Sequence, residues 1–401
     1  MLVSAIVRLQ LVEGARASRV RGYSSARRMP VKKSVQLSGV VVAETELCSI
    51  DAERGILMYR GYDIADLAEH ASYEEVAYLL LEGELPNGEQ LSAFEEELSQ
   101  RELPSAAHAL IDGNATDASP TAMLRTAVSL LSFSDPAEAA IDRENERRKA
   151  AQLIAQLPTI VARHHRLRSG KASVSPDPSL SYAENFLTML RGESPTEEET
   201  RAFDVAMILH AEHELNASTF AARIVAGTQA DLRSAIVAAI CALKGPTHGG
   251  ANEAAMRMME GFGSVDGVPE GVRRRLDSKE TLFGFGHPVY VTMDPRARIL
   301  KRLSEAFSHG GGEPNWYAIT EATEREVMEQ KGLWPNVDLY SGSVYRYLGI
   351  PNDLFTPIFE CSRVAGQAAH VLEQHANNKI IRPAAEYVGP KPREYPVPTR
   401  S

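Results

Sequence analysis

The sequence predicts a mainly α-helical protein. Its clearest helical pattern is an apolar stripe at the spacing i, i+3, i+4, i+7, i+8 and i+11, formed by Leu232, Ala235, Ile236, Ala239, Ile240 and Leu243. Helix signals support this, because Asp294–Pro295 is typical of a helix start and Gly245–Pro246 of a helix end. The sequence shows no βαβ alternation, no Rossmann or P-loop glycine fingerprint and no internal repeat. We therefore expect an all-α fold.

The first half of the chain begins with a weak alternation of apolar and polar residues. Val35 to Ile50 carries this pattern, which predicts one or two short strands. Asp63 then caps a helix, and Tyr73 opens another that ends at Gly83. Ser119–Pro120 starts a further helix.

The second half continues with helical patterns around one loop. Asp142 to Val161 is predicted helical, with a charged face that includes Arg143 and Glu146. Arg168 to Ser181 is rich in Ser, Pro, Gly and Asp, which predicts a solvent-exposed loop. A long helix is predicted from Thr356 to Gln374.

Length and composition exclude several classes of protein. A chain of 401 residues suffices for one large domain or two ordinary ones. The net charge of −10 argues against a nucleic-acid partner, and no apolar run is long enough to span a bilayer. Three widely spaced cysteines form no CxxC pair, which argues against a disulfide framework and fits a reducing compartment.

Residues 1–33 differ from the rest of the chain in charge. They carry eight basic residues against a single acid, Glu13. Such an arginine-rich, acid-poor leader resembles a transit peptide, which predicts the mitochondrial matrix. The alternative is an upstream start codon, with the functional protein beginning at Met29; for a bacterial protein we expect the cytoplasm.

One candidate site stretch runs from Gly284 to Tyr290 and carries His287 between flexible glycines. Glycine lets a substrate approach the backbone closely. Arg296 follows in the first turn of a helix, where the helix dipole disfavours a cation. We therefore expect Arg296 to face a bound anion that His287 can polarise, although an ordinary loop histidine and helix start would give the same pattern.

Two further stretches supply groups for acid–base chemistry. His248 lies just before a predicted helix start, where the dipole favours a neutral imidazole that donates a hydrogen bond to a carbonyl becoming an enolate. Asp338 lies between apolar residues, where desolvation would make it a general base for a C–H group. The alternative for Asp338 is a simple helix cap.

Arginines complete the predicted site. Arg363 is the lone cation in a mostly apolar helix stretch, and Arg382 lies in Ile380–Pro383. A buried guanidinium without an anion is costly, so each is expected to face one. Together with Arg296, they predict a dicarboxylate ligand.

The segment from His210 to Glu214 offers an alternative chemistry. Two histidines at i and i+3, His210 and His213, with a carboxylate nearby could bind zinc in a metallohydrolase. The spacing is neither HExxH nor its inverse, so we favour anion binding over a metal site.

Taken together, these stretches resemble the citrate synthase family, which includes 2-methylcitrate synthases. The resemblance covers Lys32 to Pro390 and rests on several motifs in one order. It implies an all-α homodimer with a large domain and a smaller domain that closes over the substrates. We accordingly expect a leader at 1–33, a large domain at 34–249, a small domain at 250–349, and a return to the large domain with the tail at 350–401.

The resemblance also implies a reaction and residue roles. The reaction would be a Claisen-type condensation of an acyl-CoA with oxaloacetate and then thioester hydrolysis, with no metal or cofactor beyond the coenzyme A thioester substrate. Asp338 would abstract the α-proton, His248 would stabilise the enolate, and His287 would protonate the developing alkoxide. The residues that hold carboxylates would be His213, Arg296, Arg363 and, reaching across the dimer, Arg382.

Several positions depart from the common citrate synthase pattern. Pro288 and Val291 replace basic residues that help to hold CoA, which leaves that role to Lys301 or Lys331. The lost basic residues also motivate the alternative of a catalytically silent helical binding protein. Gln367 stands where a tryptophan is common.

Some positions near the site resemble enzymes that use acetyl-CoA, and others resemble enzymes that use propionyl-CoA. Pro288, and Ala384 where the pattern has arginine, resemble 2-methylcitrate synthases, whereas His210 and Val337 match citrate synthases. We expect citrate synthesis from acetyl-CoA, with propionyl-CoA or dual specificity as the alternative, because one methylene changes binding by only about 1–3 kcal/mol.

Overall fold

The computed structural model describes residues 37, 39–311 and 314–395. The predicted leader at 1–33 lies outside these residues. Two units are distinguished, one ending at Glu44 and the other beginning at Thr45. In the first unit, the N–H of Val40 donates to the carbonyl of Leu37 in a turn. All helices, strands and site residues described below belong to the second unit.

Helices dominate the described residues, which confirms the predicted all-α class. Sixteen α-helices are present there: α1 Ile64–His70, α2 Tyr73–Glu82, α3 Gly88–Leu98, α4 Ser105–Asn114, α5 Pro120–Leu131, α6 Arg143–Arg168, α7 Tyr182–Arg191, α8 Glu197–His210, α9 Ala217–Ala226, α10 Leu232–Leu243, α11 Gly250–Phe262, α12 Val268–Asp277, α13 Pro295–Ser308, α14 Trp316–Lys331, α15 Val337–Tyr347 and α16 Phe355–Ala376.

One short strand begins within the segment Val35 to Ile50, where the sequence predicted one or two. The strands are β1 Cys48–Asp51, β2 Ile56–Tyr59 and β3 Tyr62–Asp63, which form an antiparallel meander in the order β1-β2-β3. Ser49 pairs with Met58 in this register. The described residues before Cys48 form no strand. A strand needs a neighbouring strand to pair with, and β2, which follows β1 in the chain, pairs only with Cys48–Asp51 and with β3.

Local signals correctly placed the helix ends. The Asp63 carboxylate accepts from the N–H of Ala65 at the start of α1. Ser72 begins α2 with a reciprocal capping box to Glu75, and Gly83 ends it with a φ of +101°. These caps satisfy backbone groups that the helices leave without partners.

Helix α6 is longer than predicted and less polar on one face. It continues to Arg168, and the loop that follows is mostly exposed, as expected. Glu146, which the sequence placed on the charged face, is buried, and its carboxylate accepts a hydrogen bond from Nδ1 of His375 in α16 at 2.8 Å. A charged residue at this position is tolerated because its partner neutralises it.

Helix α16 forms the centre of the core. It packs against α2, α6, α8, α9 and α10. Nearly every residue from Phe355 to Leu372 is buried, which is typical of a helix surrounded on all sides. Among its buried polar or charged residues, four recur every three or four positions and therefore share one face of the helix: Glu360, Arg363, Gln367 and His370.

A second group of helices forms around α15. α11, α13 and α14 pack on α15, and α12 packs on α14. These helices fall within the predicted small domain at 250–349, whose boundaries, like those of 34–249 and 350–401, stay a prediction. Among the described residues, no helix is both long enough and apolar enough to cross a membrane.

Candidate active site

The fold brings six of the seven predicted site residues together. The cations of Arg296 and Arg363 lie close enough to lower the pKa of His213 and of Asp338, beside larger effects of burial. Arg296 acts in the same way on His287, and Arg363 on His248. The seventh residue, Arg382, lies elsewhere in the chain.

His287 is held in one tautomer by its own loop. Its Nδ1 accepts hydrogen bonds from the backbone N–H groups of Val289 at 3.0 Å and Tyr290 at 3.3 Å. Because Nδ1 is the acceptor, the proton of the neutral ring resides on Nε2. Burial, and then the charge of Arg296, lowers the pKa of His287 to about 4. At neutral pH this ring therefore presents an N–H donor.

Backbone pairing joins the His287 loop to the start of α15. Phe285 and Pro335 form an antiparallel bridge, and the N–H of Asn336 donates to the carbonyl of Gly284 at 2.9 Å. Gly284 has a φ of +85°, and a Cβ there would lie 3.0 Å from Cα of Leu339. Only glycine allows this close approach, which sets His287 beside the helix that carries Asp338.

Asp338 lies in the first turn of α15 with its carboxylate free. The helix cap is Asn336, whose side-chain oxygen accepts from the N–H of Asp338 at 3.0 Å, so the cap interpretation of Asp338 is wrong. The carboxylate makes no hydrogen bond within the described residues. Burial raises its pKa to about 7, against the opposing charges of Arg296 and Arg363. A carboxylate with this pKa is a suitable general base near neutral pH.

His248 is fixed from behind by Ser218 at the start of α9. Its Nε2 accepts from the N–H of Ser218 at 3.2 Å and lies 2.9 Å from the Ser218 hydroxyl. The acceptor role of Nε2 leaves the proton on Nδ1. Burial, more than the helix end that the sequence suggested, lowers the pKa of His248 to about 4. Two neutral imidazoles with defined donors thus belong to the same cluster.

His213 lies in the turn between α8 and α9. Its Nε2 is 3.1 Å from the hydroxyl of Tyr290, and its ring meets that of His287 edge to face at 5.1 Å between centroids. The turn is held by Tyr59 of β2, whose hydroxyl donates to the carbonyl of Glu212 at 2.8 Å. Burial, with Arg296 next, lowers the pKa of His213 well below its usual value.

Arg296 is paired within the chain, which corrects part of the sequence argument. Its Nε and Nη2 donate to the two carboxylate oxygens of Asp294 at 3.0 and 2.7 Å. Asp294 also accepts from the N–H of Val337 at 3.2 Å, so it joins the starts of α13 and α15. Burial alone would lower the pKa of Arg296, but the Asp294 carboxylate raises it. Asp294 therefore fixes a permanently charged guanidinium at the site.

Arg363 extends from the central helix into the same region. It is buried, its Nε donates to the carbonyl of His210, and its guanidinium lies 4.7 Å from the ring centroid of Phe359. Burial lowers its pKa, while the Glu212 carboxylate opposes that shift. Its two Nη groups make no hydrogen bond within the described residues, which leaves them available to an anion.

Arg382 is not part of this cluster. It is exposed, in a C-terminal segment that follows α16, so the argument from buried charge does not apply to it. A Cβ on Gly227 would lie 3.5 Å from the N of Ile381, which places this segment at the C-terminal end of α9. His248 contacts Ser218 at the N-terminal end of α9. Because a helix of ten residues is about 15 Å long, the two ends of α9 are that far apart.

The zinc alternative finds no support in the geometry of His210 and His213. His210 Nδ1 hydrogen-bonds the carbonyl of Ala206 at 2.7 Å within α8, and burial lowers its pKa to about 3. Its ring packs edge to face on Phe359. His213 instead faces Tyr290 and His287. The two imidazoles thus have separate partners.

Sequence reasoning missed the residues that orient the site. Tyr290 was part of a recognised motif and received no role, although it contacts both His213 and His287. Asp294 was identified only as a helix cap. Ser218 follows the His210–Glu214 segment closely, yet no local pattern connects it with His248, which lies 30 residues away along the chain.

Comparison with known proteins identifies the family. The family model described as "Citrate synthase, C-terminal domain" matches residues 36–384. The chain is 47% identical to the citrate synthase of Haloferax volcanii over 372 residues, covering 90% of this chain and 96% of that protein. It is 41% identical to the 2-methylcitrate synthase of Shewanella oneidensis over 360 residues, covering 89% and 95%.

Solved structures agree with the sequence matches. The citrate synthase of Thermoplasma acidophilum, in a ternary complex with carboxymethyl coenzyme A and oxaloacetate, superposes with a TM-score of 0.86 at 36% identity, covering 92% of this chain and 99% of that one. The fold, the matched range and these relatives together show that the chain belongs to the citrate synthase family and is an acyltransferase of the citrate synthase type.

Proposed function

We propose that the protein condenses acetyl-CoA with oxaloacetate and hydrolyses the product to citrate and CoA. The observation that carries this proposal is the grouping of one free carboxylate of raised pKa, two neutral imidazoles with defined N–H donors, and two buried guanidinium groups. The carboxylate can act as the base that removes a proton from carbon, and an imidazole N–H can donate a hydrogen bond to the resulting enolate. The guanidinium groups can bind the two carboxylates of oxaloacetate.

The first step is proton abstraction from the acetyl methyl group. The Asp338 carboxylate takes this proton, and the electron pair moves toward the thioester oxygen. His248 donates its Nδ1–H to that oxygen, because Ser218 occupies Nε2. A neutral donor matches an enol or enolate without protonating it in the ground state.

The second step joins the two substrates. The enol carbon attacks the ketone carbon of oxaloacetate, and the ketone oxygen becomes an alkoxide. His287 faces this oxygen with its Nε2–H and supplies the proton. Tyr290 keeps His213 and His287 in fixed positions, so both rings meet the substrate without rearrangement.

The carboxylates of oxaloacetate bind to the cationic side of the site. Arg363 uses its Nη groups, and Arg296 uses the edge that Asp294 leaves free. His213 completes this set with a hydrogen bond. Because Asp294 and Glu212 balance part of the positive charge, the unliganded site tolerates two neighbouring guanidinium groups.

Water then cleaves the thioester of the condensed product and releases CoA. The chemistry assigned here requires no metal and no cofactor beyond the CoA thioester substrate. We propose that it proceeds in the cytoplasm of a bacterium or, where residues 1–33 direct import, in the mitochondrial matrix.

Propionyl-CoA is the second candidate substrate. A relative named 2-methylcitrate synthase, and another from Bacillus subtilis named citrate/2-methylcitrate synthase at 39% identity, cover most of the chain. Pro288 and Ala384 match that group in sequence. We place acetyl-CoA first because the relative with 47% identity is named citrate synthase.

We further propose a homodimer in which Arg382 reaches the partner's site. The tail that carries Arg382 is exposed, as are Ile380, Tyr387 and Val388 within it. A buried position against a second chain would give these apolar side chains a partner.

Product analysis tests the proposed reaction. Purified protein with acetyl-CoA and oxaloacetate should release CoA thiol and form citrate in equal amounts, detected by mass spectrometry. Omission of oxaloacetate should abolish thiol release. Turnover would exclude the silent binding protein, whereas the absence of citrate at substrate concentrations well above the usual KM range of about 1 μM–1 mM would refute the proposal.

A further inference from the structure

Two buried polar side chains of α16 lie behind His248 and have no role in the mechanism above. Glu360 and Gln367 are both fully buried, seven residues apart on one face of the helix. Burial of a carboxyl and an amide in a core is costly, which makes their contacts informative.

A chain of hydrogen bonds connects the pair to His248. The Gln367 amide Nε2 lies 3.3 Å from Ser218 Oγ and 3.3 Å from Glu360 Oε2, and it donates to both. The Ser218 hydroxyl in turn lies 2.9 Å from Nε2 of His248. Oε1 of Glu360 and Oε1 of Gln367 have no partner within the described residues.

The Ser218 hydroxyl links the pair to His248. Ser218 Oγ can donate only one proton, either to His248 Nε2 or to Asn216 Oδ1, which is 2.8 Å away. A group that donates a hydrogen bond to the lone pair of the Ser218 oxygen polarises the hydroxyl. The hydroxyl then becomes a stronger donor to its own acceptor. The Gln367 amide supplies that donor, and Glu360 holds the amide through its second N–H.

We propose that Gln367 and Glu360 are positioning residues for the condensation, because they hold the Ser218 hydroxyl against Nε2 of His248 and so keep its Nδ1–H aimed at the thioester oxygen. This inference rests on the proposed function. Without the Gln367 amide, the Ser218 hydroxyl can turn to Asn216, and the backbone N–H of Ser218 is then the one fixed donor to Nε2 of His248.

The ionisation of Glu360 gives the pair a signature in the pH profile. Burial raises the pKa of Glu360 to about 8, while its bond to Gln367 and the charge of Arg363 oppose the shift. The carboxyl is therefore neutral at pH 7 and becomes an anion as pH rises through 8. The anion is a stronger acceptor, so it draws the Gln367 amide away from Ser218.

Other titratable groups near Glu360 do not change charge in that range. Cys361 on the same helix and Tyr73 on α2 have pKa values raised well above their usual values by burial. Burial lowers the pKa of His248, so this imidazole stays neutral. The remaining neighbour, Arg363, stays charged near pH 8.

The first test replaces the amide by a side chain of similar size. Gln367→Met should lower kcat about three- to tenfold, the range of one hydrogen bond, and leave KM for oxaloacetate within about twofold. Thr320→Val is the control, because it deletes a buried hydrogen bond in α14, a helix that carries none of the seven residues assigned to catalysis or to oxaloacetate binding. The control should change thermal stability and leave kcat unaltered.

The second test uses the conservative variant Glu360→Gln, which keeps the shape and the acceptor oxygen. The wild-type kcat should fall above about pH 8, and the variant should retain its activity there. If Gln367→Met does not fold, the pH profile of Glu360→Gln tests the inference by itself. A Gln367→Met kcat within twofold of wild type, or an unchanged alkaline decline in Glu360→Gln, would overturn the inference. Wild-type turnover separately tests the proposed function.

Discussion

Among single residues, Asp338 has the largest expected effect on the reaction. Asp338→Asn keeps the size of the side chain and removes the base. We expect kcat to fall by about 10²–10⁴, with KM for oxaloacetate little changed, because Arg296 and Arg363 remain. Initial rates of CoA thiol release measure both quantities. A variant with wild-type kcat would show that another group removes the proton.

The raised pKa of Asp338 also makes a stability prediction. The folded carboxyl binds its proton up to about pH 7, whereas an unfolded aspartate releases it near pH 4. Between these values the folded state holds more protons, so stability falls as pH rises. The melting temperature of wild type relative to Asp338→Asn should therefore decline from pH 5 to pH 7.5. A constant difference would contradict the raised pKa.

The sequence identified residues with reactive groups better than the residues that orient them. His248, His287 and Asp338 lie in glycine- or proline-bounded motifs, which are visible along the chain. Asp294 was visible as a cap, but its pairing with Arg296 was not expected, because the cation was assigned to a bound anion. Ser218 was missed because its contact with His248 depends on how the start of α9 packs against the turn between α10 and α11.

At the scale of elements, the loop that carries His287 and the start of α15 act as one unit. Gly284→Ala places a Cβ 3.0 Å from the backbone of Leu339 at a φ of +85°. We expect a loss of about 1–3 kcal/mol in unfolding free energy and at least a tenfold lower kcat, because His287 moves relative to Asp338.

Gly261→Ala is a matched control for that substitution. Gly261 lies within α11, its φ is not positive, and a Cβ there would meet nothing within 4 Å. It should gain about 0.5–1 kcal/mol of stability and keep its kcat. Chemical denaturation and thiol-release assays of both variants give the comparison. Wild-type kcat in Gly284→Ala would show that this contact does not position the site.

The buried pair between α6 and α16 adds a pH-dependent contribution to stability. The hydrogen bond to Glu146 raises the pKa of His375 against the effect of burial. A raised histidine pKa stabilises the fold fully below its unfolded value of about 6.5, and this contribution is lost as pH rises through the folded pKa. The substitution Glu146→Gln should therefore lower the melting temperature more at pH 6 than at pH 9. Equal losses would rule out a charged His375.

The helices were predictable because their sequence signals are local. The pair of Glu146 and His375 was not predictable. Caps such as Asp63 and Gly83 lie within a few residues of the ends that they define. Glu146 was assigned to a solvated face because its sequence neighbours are charged. Its partner lies 229 residues away, and no local pattern indicates that contact.

In the whole molecule, the proposed dimer brings Arg382 to the partner's site. If it acts across a dimer, mixed subunits of Asp338→Ala and Arg382→Ala should regain activity. Each mixed dimer would contain one site with both changes and one intact site. Refolding an equal mixture should restore about a quarter of wild-type turnover, since half of the dimers are mixed.

Each variant refolded alone is the control for that experiment, and both should remain nearly inactive. Sedimentation of the mixture checks that dimers form. Recovery no greater than the average of the two controls, in a sample that is dimeric, would place Arg382 in its own subunit's site or outside the site.

The value of kcat/KM for acetyl-CoA and for propionyl-CoA, each with saturating oxaloacetate, shows which acyl group the enzyme condenses, and it is obtained from the initial rate of thiol release. We expect turnover with both thioesters and a higher kcat/KM for acetyl-CoA. A clear preference for propionyl-CoA would contradict the assignment to citrate synthesis and favour 2-methylcitrate, and the absence of turnover with either thioester would contradict the proposed reaction itself.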